Sequence, residues 1–212
     1  MINDMDFHNR AWHSILTEDL GTKISYEAVK KEMYGKNQEL LERVFGSGHF
    51  SQEQIDQISI EKERRYQSAY KKHLSLIPGL ANFLDKAKES DILMAIGSAA
   101  IMFNINFVLD GLNIHKYFKA IVSADDVKLS KPDPETFLKD AEILGVNPEN
   151  CIVFEDAPKG VEAAQNAGMR CIVLTTMHTA DEFARYSNII GFIEDYTDPM
   201  LETLFTGETQ ND

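Results

Sequence analysis

Short apolar runs alternate with helix-forming segments along the second half of the chain, and this alternation limits the possible folds more than any other feature. The runs lie at 92–96, 120–122, 151–154, 171–174 and 189–193, and each has the length of a buried strand. Strand–helix alternation of this kind indicates a parallel sheet that is covered by helices on both faces. We therefore predict an α/β fold with a doubly wound parallel sheet.

The first part of the chain has a different pattern, because it consists almost wholly of helical segments. One segment over 37–45 ends before a glycine, and a capping box at 51–54 begins a longer helix that reaches about residue 73. We therefore predict two units, a small helical cap domain over 12–76 and an α/β core over 1–11 and 77–212.

Composition and charge exclude several classes of partner. The chain has 212 residues, 43% of them hydrophobic, which is enough for a sizeable core, and a formal net charge of −13. That charge argues against nucleic acid and means that a phosphate ester needs local cations and a metal. No apolar stretch has the length of a membrane span, and the lone cysteines Cys151 and Cys171 favour a reducing compartment. We expect a cytoplasmic monomer that binds neither nucleic acid nor membrane.

Three groups of polar residues lie at or near the ends of successive predicted strands. They are Ser98, Lys131 and the acidic pair Glu155–Asp156. In doubly wound folds ligands bind at the carboxyl ends of the strands. A hydroxyl, a lysine and two carboxylates at this edge can hold a phosphate and a divalent cation together, so the pattern predicts a phosphoryl-transfer site.

Each group also has a plain structural alternative. Ser98 and the backbone N–H groups that follow it, beginning with Ala99, can bind a phosphate oxygen, or the serine can cap a helix. Lys131 precedes a proline and stands near a helix N-terminus, where an exposed cation costs about 0.3–1 kcal/mol, so a bound anion would explain it. The alternative is a solvated surface lysine. Glu155 and Asp156 can hold Mg²⁺ or simply favour the N-terminus of the next helix. The three groups occur in the order expected of a phosphoryl-transfer site, and this order favours the functional interpretation of all three.

In this order the motifs resemble the haloacid dehalogenase superfamily, specifically its β-phosphoglucomutase-like branch. The segment 7–12, Phe-His-Asn-Arg-Ala-Trp, resembles the stretch that leads into the helical cap of that branch. Ser98 matches the second family motif, Lys131 the third, and Glu155 with Asp156 the fourth. The resemblance covers nearly the whole chain. It implies that Ser98 and Lys131 are catalytic, stabilising the phosphoryl oxygens, and that Glu155 and Asp156 bind Mg²⁺.

The resemblance also implies which residues of the cap face the substrate. Lys36, Gln38 and Lys62 match the substrate-binding segments of the cap, and His8 is either a hinge residue near the substrate or an ordinary packed histidine. The mutase relative has an arginine at the position of Gln38 and Lys-Asn at 101–102, where this chain has Ile-Met. Both differences lower the expected affinity for a doubly phosphorylated sugar and favour hydrolysis.

The first motif of the family, a strand followed by Asp-x-Asp-Gly, has no match. The segment 4–6, Asp-Met-Asp, follows no apolar strand and precedes no glycine, so we reject it as the nucleophile. We expect the nucleophilic aspartate upstream of Met1, which would then be an internal methionine of a longer chain. In the implied fold the missing strand is central, between the strands that end at Ser98 and Phe154. Without it, two facing rows of backbone polar groups lack partners.

The resulting expectation is Mg²⁺-dependent transfer of a phosphoryl group from a small sugar phosphate to water, through an aspartyl-phosphate. Two alternatives stay open at this point. One is a mutase acting on β-glucose 1-phosphate. The other is a catalytically silent module that binds phosphate and metal but transfers nothing.

Overall fold

The computed structural model describes residues 1–206, so the last six residues of the predicted core, 207–212, lie outside the described part. The helices are α1 (Met5–Ser14), α2 (Tyr26–Lys31), α3 (Asn37–Phe45), α4 (Gln52–Tyr70), α5 (Leu80–Glu89), α6 (Met102–Gly111), α7 (Glu135–Leu144) and α8 (Pro158–Asn166). The strands are β1 (Ala95–Gly97), β2 (Ala120–Val122), β3 (Ile152–Glu155), β4 (Arg170–Leu174) and β5 (Ile189–Ile193). Along residues 1–206, no helix is both long and apolar enough to cross a bilayer.

The N-terminal helices α1–α4 form a small bundle in which α1 packs beside α4. A buried cluster that includes Trp12, Leu16 and Leu41 holds the bundle together. The Ser51 side chain accepts a hydrogen bond from the Gln54 backbone, which confirms the predicted capping box at the start of α4. Helix α1 is continuous across residues 11 and 12, so the predicted domain boundary falls inside a helix.

Parallel strands flanked by helices form the second unit, which confirms the predicted α/β class. Helix α7 packs on β1 and β2, and α8 packs on β3 and β4. Leu84 of α5 and Leu109 of α6 belong to a buried cluster with Ile172 and Leu174 of β4, on the opposite face of the sheet. The strand predicted at 92–96 begins only at Ala95.

The sheet is interrupted between β1 and β3. Strand β1 pairs only with β2, and β3, β4 and β5 form a separate parallel set, so no strand of the described residues pairs with the facing edges of β1 and β3. This is where the family resemblance places a central strand. A cavity of about 1310 Å³ opens there, lined on one face by Leu84 and Leu109 and on the other by Phe137 and Ala141. Clefts for small ligands have volumes of about 300–1,000 Å³, so this one exceeds what a phosphate ester requires.

Candidate phosphate-binding site

The predicted phosphate and metal residues meet at one end of this cavity. Ser98 directly follows β1, Glu155 is the last residue of β3, and Asp156 comes next. Lys131 lies in the connection between β2 and α7. All four line the cavity, because the carboxyl ends of parallel strands open at the same edge. The structure therefore brings together the hydroxyl, the ammonium and the acidic pair.

Lys131 connects the two parts of the sheet. Its Nζ donates to the carbonyl oxygen of Gly97, 3.1 Å away at the end of β1, and to Oε1 of Glu155, 2.5 Å away at the end of β3. The ammonium also lies 4.3 Å from the ring centroid of Phe137. The side chains of Lys131 and Glu155 are 12% and 13% exposed, so water screens their attraction only in part. Lys131 is thus a partly desolvated cation at the mouth of the cavity.

Ser98 forms a tight turn at the end of β1. Its backbone N–H donates to Val122 of β2, and its Oγ accepts from the backbone N–H of Ala100 at 3.1 Å. Ile101, rather than Ser98, stands at the N-cap of α6, so Ser98 is not the cap of that helix. Ala99 also lines the cavity, and its N–H belongs to the same turn. A hydroxyl and successive backbone N–H groups at such a turn are suitable for an anion.

Two glycines make room for buried carboxyl groups beside this site. A Cβ at Gly160 in α8 would lie 2.1 Å from Cδ of Glu155, and a Cβ at Gly97 would lie 2.5 Å from Oδ2 of Asp140. Asp140 is 7% exposed, and its Oδ1 has no hydrogen-bond partner among the described residues. Burial raises the pKa of Asp140 to about 7, although Lys131 opposes the shift. Sequence reasoning missed this carboxyl group because it sits on the inner face of α7.

The residues present fit a magnesium ion, although no group of three or more metal-ligand side chains occurs within residues 1–206. Glu155 is already paired with Lys131, whereas the side-chain bond to Asp156 is a weak one from the Thr176 hydroxyl, at 3.4 Å from Oδ2. Burial and the neighbouring Glu155 raise the pKa of Asp156, although the N-terminal ammonium of Met1 and Lys131 oppose the shift. Mg²⁺ commonly binds through one or two carboxylates plus substrate phosphate and water. Asp156 and Glu155 are the side chains that would hold it.

On the cap side of the cavity, Lys62 and Glu63 of α4 form a buried ion pair. Lys62 Nζ lies 2.9 and 3.0 Å from the two carboxylate oxygens of Glu63, and both side chains are less than 5% exposed. Lys62 also lies 2.8 Å from Nδ1 of His8. Burial raises the pKa of Glu63, but Lys62 and hydrogen bonds from Asn37 and Asn104 outweigh it and hold the pKa below its ordinary value. Glu63 is therefore a carboxylate in the folded protein.

His8 is both packed and exposed to the cavity. Its ring stacks on Tyr66 with 3.7 Å between centroids, and its Nε2 lies 3.3 Å from Oδ2 of Asp4. Burial, followed by Lys62, lowers the pKa of His8, so the ring is neutral at pH 7. A neutral ring accepts from Lys62 at Nδ1 and donates to Asp4 at Nε2. The Tyr66 hydroxyl also donates to Asp4.

Two further cap residues, Lys36 and Glu39, form hydrogen bonds with the core. Lys36 lines the cavity, but its Nζ donates to the carbonyl oxygen of Val127 at 2.5 Å. The Ser130 hydroxyl donates to Oε1 of Glu39 at 2.6 Å. Gln38 also lines the cavity, and its amide donates to Glu42 one turn along α3. The structure thus gives Lys36 a structural contact and leaves the substrate role of Gln38 a proposal.

Comparison with known proteins agrees with this geometry. Residues 1–174 match the family model of haloacid dehalogenase-like hydrolases. The match covers most of the chain, so the protein belongs to the haloacid dehalogenase-like hydrolase family.

Individual relatives give further detail. The chain is 36% identical over 179 residues to an uncharacterized protein of Haemophilus influenzae, and the aligned region covers 80% of this chain and 83% of the relative. It is 44% identical over 79 residues to the fructose-1-phosphate phosphatase YqaB of Escherichia coli, covering 37% and 42% respectively. A β-phosphoglucomutase structure from Clostridium difficile superimposes with a TM-score of 0.79 at 25% identity, covering 95% of this chain and 89% of that one. The chain spans about half the length of two matched Arabidopsis thaliana proteins, 49% and 51%.

Proposed function

We propose that the protein is a Mg²⁺-dependent phosphatase of small sugar phosphates. The observation that carries this proposal is the convergence of Ser98, Lys131 and Asp156 on one end of the cavity. Membership of a hydrolase family and similarity to a fructose-1-phosphate phosphatase support a phosphatase of small phosphorylated substrates. The acidic character of the chain favours a small ester bound by local cations over any polyanionic partner.

The described residues have distinct parts in the reaction. Lys131 stabilises the negative charge that develops on the phosphoryl oxygens, and the Ser98 hydroxyl with the N–H of Ala99 donates to the same oxygens. Asp156, beside Glu155, would hold Mg²⁺, which when bound would neutralise phosphate charge and so favour attack by an anion. The cap, which contacts the core through Lys36, keeps bulk water away from the site.

The nucleophile of this proposal is an aspartate on a strand that fills the cavity between β1 and β3. A strand there satisfies the free edges of both neighbours with backbone hydrogen bonds, and its apolar side chains enter both faces of the cavity. Its carboxyl end lies where Ser98, Lys131 and Asp156 meet, because all strands of the sheet are parallel. The first aspartate attacks phosphorus and the bond from phosphorus to the sugar oxygen breaks, while the second aspartate of Asp-x-Asp-Gly gives that oxygen its proton. The second aspartate then takes a proton from water, which hydrolyses the aspartyl-phosphate to inorganic phosphate and the free carboxylate.

Hydrolysis is favoured over the mutase alternative by the cap. The mutase relative has an arginine where Gln38 stands, and the nearby Lys36 is already bonded to Val127. A mutase must hold a sugar that carries two phosphates, whereas a hydrolase does not.

The test is phosphate release from p-nitrophenyl phosphate with Mg²⁺ and with a chelator. Residues 1–212 are compared with the same chain preceded by an apolar strand that ends in Asp-x-Asp-Gly, and with a control in which the first of these aspartates is asparagine. Activity that requires the strand, its aspartate and Mg²⁺ supports the proposal. Equal activity of the strand-bearing chain and its asparagine control contradicts the assigned nucleophile. Absence of activity in all forms supports the silent module.

A further inference from the structure

A second anionic group on a substrate needs a cation in the cavity wall, and the three wall lysines that are not exposed, Lys36, Lys62 and Lys131, are each bonded to an oxygen acceptor, whereas Lys159 is exposed. Four lysines line the cavity within residues 1–206. Lys131 binds Glu155 and Lys36 binds a backbone carbonyl. Lys159 lies 3.5 Å from the ring centroid of Tyr34. The fourth, Lys62, differs from the other three because its partner is the buried carboxylate of Glu63.

Glu63 neutralises Lys62 in a place that water does not reach. The Lys62 and Glu63 side chains are 3% and 4% exposed, and the ammonium contacts both carboxylate oxygens. Two buried charges in such contact attract each other strongly, and separating them leaves each one desolvated and unpaired. A substrate anion that binds Lys62 must therefore replace or approach Glu63, at a large electrostatic cost.

Contacts from both domains hold Glu63 in this position. Asn37, the first residue of α3 in the cap, donates to Oε1 at 2.9 Å, and Asn104 of α6 in the core donates to Oε2. The side chain of Gln67 in turn donates to Oδ1 of Asn104 at 2.9 Å. Each carboxylate oxygen of Glu63 therefore accepts a hydrogen bond from outside the ion pair, one from the cap and one from the core.

Next to this pair, His8 contacts Lys62 and Asp4 contacts His8, and neither adds a positive charge at pH 7. His8 is neutral at pH 7, because burial lowers its pKa. Burial raises the pKa of Asp4, but hydrogen bonds from His8 and Tyr66 outweigh this and keep the pKa below its ordinary value. This part of the cap wall therefore has hydrogen-bonding groups that suit hydroxyls. It carries two ionised carboxylates, Asp4 and Glu63, and one ammonium, that of Lys62.

We propose that Glu63 is a specificity-determining residue. By holding Lys62 in a buried pair, it restricts the site to phosphate monoesters whose remaining part is uncharged and bears hydroxyl groups, and it rejects substrates with a second phosphate or a carboxylate. This inference rests on the proposed function, since it concerns the leaving-group side of the same site, and it is independent of Gln38.

The test uses a matched pair of ligands, fructose 1-phosphate and fructose 1,6-bisphosphate, which differ only in the second phosphate. Calorimetric titration in Mg²⁺ buffer gives the ratio of their dissociation constants, and phosphorus NMR of the same samples shows whether each ester stays intact. If an ester is hydrolysed, the ratio of kcat/KM values replaces the ratio of dissociation constants. Native protein should bind the monophosphate at least as tightly as the bisphosphate.

Substitution of Glu63 tests the cause. Burial lowers the pKa of Lys62, and Glu63 is the main group that opposes this shift; in Glu63→Gln a second phosphate can take the place of the lost carboxylate. The bisphosphate should therefore gain about tenfold relative to the monophosphate, as one charge-assisted hydrogen bond provides. The double variant Lys62→Met/Glu63→Gln should lose that gain. Circular dichroism establishes that each variant is folded.

Several outcomes overturn the inference. They are a native protein that prefers the bisphosphate by more than tenfold, a folded Glu63→Gln variant with an unchanged ratio, and a gain that persists without Lys62. If Glu63→Gln does not fold, the native ratio alone decides. Failure to bind either ester overturns the phosphate site as well. Binding in the expected ratio without hydrolysis by the strand-bearing chain contradicts only the phosphatase proposal.

Discussion

Asp140 makes the stability of this protein depend on pH in an unusual direction. Its carboxyl group is buried against Gly97, and burial raises its pKa to about 7 from an ordinary value of 3.8. The folded protein therefore binds a proton that the unfolded chain releases. Protonation of Asp140 contributes to the free energy of unfolding, and this contribution is fully present below about pH 4 and is lost as pH rises through 7.

The size of the effect follows from the shift in pKa. Each pKa unit corresponds to about 1.4 kcal/mol, so the shift of Asp140 amounts to an upper bound of about 4 kcal/mol between pH 4 and pH 8. That is a large part of the roughly 5–15 kcal/mol by which a typical domain is stable. Asp140→Asn keeps the shape and removes the charge. The variant should gain stability relative to the native protein as pH rises, by up to about 4 kcal/mol at pH 8.

Urea unfolding at a series of pH values from 4 to 8 measures this difference in the free energy of unfolding. The matched control is Glu142→Gln, since Glu142 is exposed on the same helix and its replacement changes the net charge equally. A difference between native protein and Asp140→Asn that is the same at pH 4 and pH 8 would refute the reasoning. A strand that fills the cavity and donates a hydrogen bond to Asp140 should reduce the difference, because such a bond favours the ionised carboxyl group.

Two substitutions and one titration test the site itself. Lys131→Met should lower phosphate affinity about a hundredfold and the free energy of unfolding by about 3 kcal/mol, since Glu155 loses its partner. Lys139→Met, which breaks a more exposed pair with Glu135 inside α7, should change stability by less than about 1 kcal/mol. Gly160→Ala should displace Glu155 and weaken phosphate binding, measured by titration with inorganic phosphate, because the new Cβ would overlap its carboxyl group. Burial lowers the pKa of His8, so NMR titration should give a midpoint below 6.5, and the stability that the neutral ring contributes should be lost as pH falls through that midpoint.

Contradicting results are equally specific. If Lys131→Met keeps the native phosphate affinity, or if Lys131→Met and Lys139→Met lose affinity equally, Lys131 does not belong to the anion site. Unchanged phosphate binding in Gly160→Ala would show that Glu155 adjusts without consequence. A His8 midpoint at or above 6.5 would contradict its burial beside an ammonium.

Local patterns were sufficient to predict much of the fold. Helix α3 has the predicted bounds, Asn37–Phe45, because the helical run and the glycine that ends it lie within a few positions. The capping box at Ser51 depends on residues three positions apart. The meeting of Lys131 with Glu155 was predictable too, since parallel strands present their carboxyl ends at one edge.

The features that sequence reasoning missed depend on contacts between distant parts of the chain. The bond between Asn104 and Glu63 joins residues 41 positions apart, and that between Lys36 and Val127 joins residues 91 apart. Lys36 therefore looked like a substrate-facing cation, because nothing in its neighbourhood reveals a carbonyl acceptor in the core. The burial of Asp140 is likewise set by how α7 lies on β1, which no local pattern encodes.

The bond between Ser130 and Glu39 has a consequence for the order of events in a reaction cycle. Ser130 directly precedes Lys131, so the contact that holds the cap also restrains the backbone of the lysine that faces the phosphoryl group. In the phosphatase that we propose, a cap that moves away from the core would release that restraint as solvent enters. Full charge stabilisation would then require the contact between Ser130 and Glu39, and an ester too bulky to leave it intact should bind without being cleaved.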